Sequence, residues 1–74
     1  MTKPKFKRNE NVVIAENAPA KFRPSEFAWV ISERIVENET HAKAVGYPVN
    51  TTLYLVEYMD GSDVEMPGEF LRHR

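Results

Sequence analysis

Asp63 and Glu65, two carboxylates one residue apart near the C-terminus, are the nearest thing in this chain to a paired acid–base site. General acid–base chemistry needs titratable groups converging in a pocket, where burial or a like charge separates their pKa values. Residues i and i+2 of a strand share a face, so these two side chains project together. Alternating acids on an exposed face, however, mostly keep a strand solvated. Histidine offers less: His41 and His73 are far apart in sequence, and neither has other ligands at metal spacing. The chain has no cysteine, which excludes disulfides, thiolate metal sites and cysteine nucleophiles. Gly46, Gly61 and Gly68 are scattered turn glycines, not a phosphate loop. The residues therefore point to a chain that is not an enzyme, with no cofactor and no metal.

Two binding chemistries remain. Residues 1–8 carry Lys3, Lys5, Lys7 and Arg8 with no acid, and Arg72 and Arg74 close the chain. If the ends meet in space, Lys5, Lys7, Arg8 and Arg72 form the cationic patch that a nucleic-acid backbone would need. Against this stand eleven acids, a net charge of −1 and a pI near 6.1, where nucleic-acid domains usually exceed about 9. Aromatic side chains supply the other chemistry. Phe22 in a polar loop, Trp29 just beyond it and Tyr47 in a second loop are the candidate protein-binding residues, aromatics being enriched at interface centres. For Trp29 the competing core role carries more weight, because large aromatics dominate small cores.

The elements that would position these groups follow from periodicity. NVVIA (11–15) reads as a short β-branched strand with Val12 and Ile14 inward, fed by a turn at Asn9-Glu10. Residues 16–26, with two prolines, read as a long loop. FAWVISERIVE (27–37) is a second strand, with Phe27, Trp29, Ile31 and Ile35 on one face and Ala28, Val30, Ser32 and Arg34 on the other. A helix capped by Ser25 competes with that reading. Residues 38–50 are either a loop or a short helical turn capped by Asn38, with Glu39 facing Lys43 and Gly46 ending it. TTLYLVEYMDGSDVEMP then alternates on both sides of Asp60-Gly61, which reads as a two-residue hairpin turn. Tyr54, Val56 and Tyr58 share one face, and Val64 and Met66 oppose Asp63 and Glu65. Residues 67–71 form a 3₁₀ turn ahead of a last short strand.

Phe6-x-x-Asn9-Glu10-x-Val12-x-Ile14 resembles the opening strand of bacterial SH3-like domains. Tyr54-x-Val56-x-Tyr58-x-Asp60-Gly61, with Val64, Pro67 and Leu71, resembles their third and fourth strands and closing turn. The resemblance implies an all-β, five-stranded SH3-like barrel with first and last strands adjacent. Its residues are core and turn residues shared by Tudor-like, chromo-like and KOW-type domains, so it implies architecture rather than function. Residues 11–15 hold no tyrosine, unlike the peptide-binding strand of signalling SH3 domains. The type II dihydrofolate reductases, SH3-like enzymes of similar size, carry Val-Gln-Ile-Tyr where this chain has Val64-Glu65-Met66-Pro67, so their chemistry does not transfer.

Seventy-four residues make one domain, 1–74, with residues 1–8 as a basic arm. A chain this short buries only about 60% of its unfolded surface, so each large apolar side chain matters. No apolar run approaches the roughly 20 residues that cross a bilayer, and the basic start lacks a signal-peptide apolar region. The expectation is a cytoplasmic, non-catalytic interaction or accessory module whose partner is another protein. A nucleic-acid-binding module is the alternative, and no membrane partner is expected.

Overall fold

The computed structural model describes residues 6–74, so Lys3 and Lys5 of the expected basic patch lie outside the described residues. Five strands form one antiparallel sheet: β1 (Asn11–Ile14), β2 (Phe27–Ile35), β3 (Thr52–Tyr58), β4 (Asp63–Pro67) and β5 (Leu71–His73), in the order β4-β3-β2-β1-β5. The sheet is open: β4 and β5 stand at its two edges and do not pair, so the expected closure into a barrel is not seen. A single 3₁₀ turn, Gly68–Phe70, carries the chain from one edge to the other. Its Phe70 carbonyl accepts a hydrogen bond from the Ala15 amide at 2.8 Å, and Phe70 packs on the core.

The hairpin shows how side-chain demand sets backbone geometry. The turn is a three-residue loop, Met59–Gly61, not the expected two-residue one. The Gly61 amide reaches the Tyr58 carbonyl at 3.0 Å, and the Tyr58 amide reaches the Ser62 carbonyl at 2.8 Å. Gly61 has φ +88°, the left-handed position such a loop requires and glycine adopts without a steric cost. The register is then Tyr54↔Met66, Val56↔Val64 and Glu57↔Asp63. A two-residue turn at 60–61 would slip the register by one and set Glu65 across from Val56 on the core side.

Residues 38–50 take the helical option. Helix α1 (Glu39–Val45) begins at Asn38, whose Oδ1 accepts from the His41 amide at 2.8 Å, and ends at Gly46 with φ +82°. This excursion is tied at its base, where Val36 exchanges hydrogen bonds with Asn50 and Thr51 at 2.8 and 2.9 Å.

The core lies on one face of the sheet and gathers Phe6, Val12, Ile14, Ala18, Phe22, Ala28, Val30, Tyr54, Val56, Tyr58, Met66 and Leu71. Val12 and Ile14 point inward as the pattern required. On β2 the inward residues are Ala28 and Val30, the smaller pair. They sit opposite Tyr58 and Val56 of β3, and Ala28 also faces Val12 of β1. The rings of Tyr54 and Tyr58 already fill the interior, so β2 can contribute only small groups there. A bulge at Ile31 breaks the alternation, and Ser32, not Ile31, is the next residue to pair, with Leu55. Strand β2 therefore does not keep the unbroken period-two face that its sequence suggests.

Candidate docking face

The side chains expected to converge do not share a face. Phe22, on a 3₁₀ turn at Ala20–Phe22, is 3% exposed and belongs to the core. Its ring lies 5.6 Å from that of Phe70, and its carbonyl accepts the Tyr58 hydroxyl at 2.6 Å. Phe22 is thus a packing residue, which corrects its reading as a contact residue. Trp29 is half-buried on the opposite, outer face of β2, beside Asn11 and Glu57. The expectation that it fills the core is also corrected: the inward β2 positions belong to Ala28 and Val30. Tyr47 follows α1, half-buried, its hydroxyl pKa raised by burial and secondarily by the Glu69 charge.

What the fold does assemble is an outer face built from period-two partners of the core residues. Across neighbouring strands the register aligns Arg72, Val13 and Phe27, and beside that row Asn11, Trp29, Glu57 and Asp63. Phe27 is 46% exposed. The Arg74 guanidinium lies over its ring at 4.1 Å, where the negative π-face attracts a cation. Val13 and Leu55 are half-buried on the same face. A shallow cleft of about 540 Å³ adjoins it, bounded in part by Val13, Ser25 and Arg72. The sequence did carry a signal for this face: Phe27 and Trp29 alternate on one side of β2. Which side was buried depended on β3.

The basic residues are distributed more loosely. Strand β5 does pair with β1, as expected, with Val13 opposite Arg72. Lys7 and Arg8 are exposed in the turn before β1, and Glu10 stands among them. The Glu10 carboxylate accepts from the Lys7 amide at 2.9 Å and contacts His73. Its pKa is lowered, chiefly by the Lys7 amide and further by His73, with partial burial opposing. Arg72 donates to the carbonyls of Glu69 and Leu71 at 2.9 and 3.1 Å.

A separate polar cluster locks the long first loop to the hairpin. Arg23 meets Glu26 through two hydrogen bonds of 2.7 and 2.9 Å, Ser62 at 3.0 Å and Asp60 at 3.1 Å, and stacks 4.3 Å from the centre of the Tyr58 ring. Two hydrogen bonds from Ser62, then the Arg23 charge, hold the Asp60 carboxyl at about 2, below its ordinary 3.8. Asp63 and Glu65 do not converge on a pocket; Glu65 is held by Arg34 through two bonds of 2.6 Å. Among the described residues no cluster of three His, Asp or Glu side chains could hold a metal. None of their helices is long and apolar enough to cross a membrane. No protein-family model, curated protein or solved structure matches the chain.

Proposed function

We propose that the chain is a non-catalytic protein-interaction module that docks through the outer face of β1, β2 and β3, and that its open sheet is a variant of the SH3-like barrel. The 3₁₀ turn before β5 and the β1–β5 pairing support the architectural part. The functional part rests on one observation. The core is filled without Phe27 and Trp29, yet both stand side by side on the outer face with an arginine stacked on one of them. Aromatic residues and arginine at the centre of a surface patch are the composition of interface centres. The absence of cysteine supports a cytoplasmic setting.

A nucleic-acid-binding module is the second reading, favoured by Arg72 and Arg74 beside Phe27, since aromatic rings with flanking cations stack single-stranded bases. Glu57 and Asp63 on the same face oppose it. A photo-crosslinking benzoylphenylalanine at position 27, with the purified chain added to a cell lysate, separates the readings. It should join the chain to a polypeptide, whereas the same group at the exposed Lys43 position should not. Crosslinks to nucleic acid from position 27 would promote the second reading, and equal crosslinking from both positions would reject the docking face.

A further inference from the structure

We infer that the occupant of the outer face is a second copy of this chain, arranged about a two-fold axis; this rests on the docking role proposed above. The argument starts from the charges that flank the aromatic pair. Arg74 lies over Phe27 on one side, and Glu57 is the cross-strand neighbour of Trp29 on the other. Among the described residues neither has an ion-pair partner, and the same holds for Arg72 and Asp63 of this face, whereas Arg23, Arg34, Glu10, Glu26, Asp60 and Glu65 are paired. A two-fold axis lying in the interface, parallel to the sheet and passing between Phe27 and Trp29, turns the outer faces of two copies toward each other. It sets Arg74 of one against Glu57 of the other, and the reverse. One operation thus satisfies both charges twice and covers both aromatic pairs, the self-complementarity an isologous interface requires.

Two bulk properties agree. With a net charge of −1, copies meet without strong mutual repulsion, and a charge near zero favours association. The two longer extents of the molecule, 32 and 25 Å, leave room for the roughly 800 Å² per partner of a standard stable interface. Phe27 and Trp29 then sit at the centre of that interface and Arg72 near its rim.

Sedimentation equilibrium of the purified chain at low and high salt tests this. The expected result is a reversible dimer whose dissociation constant rises with salt. Arg74→Glu and Glu57→Arg should each weaken it by about tenfold or more, the scale of 1.4 kcal/mol of lost interaction. The double variant, which restores opposite charges across the axis, should recover most of the affinity. Trp29→Ser should abolish the dimer while circular dichroism stays unchanged. A chain that remains monomeric at every concentration overturns the inference, as does a dimer indifferent to these substitutions or a double variant no better than the singles. If the chain is monomeric while position 27 still crosslinks to other polypeptides, the docking role stands and only the second copy is excluded.

Discussion

The two faces of β2 use their side chains in opposite ways. The inward face spends only Ala28 and Val30 on the core, while the outward face carries Phe27 and Trp29. On β3 the relation is reversed: the large rings of Tyr54 and Tyr58 point in, and Leu55 and Glu57 point out. Large and small residues alternate between adjacent strands because the interior has a fixed volume. Once β3 has filled it with tyrosines, the aromatic residues of β2 are excluded from it. The lesson is that ring size alone does not mark a core residue; its cross-strand neighbour decides. Phe22 makes the same point from the other side, since a loop aromatic became core while a strand tryptophan did not.

The sharpest way to break this comparison is to truncate one ring on each face. Phe22→Ala should lower the free energy of unfolding by about 3–5 kcal/mol, the usual cost of emptying a buried phenylalanine site. Urea unfolding of Trp29→Ala should show a clearly smaller loss; equal losses would mean that the outer face is as much a core as the inner. A smaller effect comes from the closing turn. A Cβ on Gly68 would stand 2.9 Å from Tyr54 Cε2. Gly68→Ala should therefore cost about 1–3 kcal/mol by overpacking the buried ring. An unchanged thermal midpoint would show that the tyrosine layer is looser than its burial implies.

The smallest effect concerns pH. The Asp60 carboxyl is depressed from 3.8 to about 2, so its contribution is fully present above its unfolded value and is lost as pH falls through the folded one. The loss therefore falls between about pH 4 and pH 2. A carboxyl carbon titration should place the Asp60 midpoint near 2, and Asp60→Asn should remove that part of the acid dependence. A midpoint at 3.8 would show that the Ser62 hydrogen bonds and, with them, the Arg23 contact to Asp60 are not held in solution.

Much of the fold was legible because it is local. Alternation exposed β1, β3 and β4; Asn38 and Gly46 bracketed α1; and Pro67-Gly68 marked the last turn. These signals act through neighbouring residues, so tertiary context did not need to be known. The hairpin was only partly legible. Asp60-Gly61 announced a turn, but its length had to agree with the faces of both arms, a condition that its own dipeptide does not contain. The candidate site was least legible, for a reason that lies outside β2. Its sequence defines two faces and says nothing about which is buried. That choice was made by Val12 on one side and by Tyr58 and Val56 on the other, residues brought alongside only when the sheet forms. Sequence by itself marked the strands and the places where the chain turns, left residues 38–50 between loop and helix, and excluded cysteine chemistry. Tertiary structure alone decided that Phe22 is core, that Phe27 and Trp29 are surface, and that Arg74 stacks on Phe27, because burial and cross-strand pairing depend on contacts between residues distant in the chain.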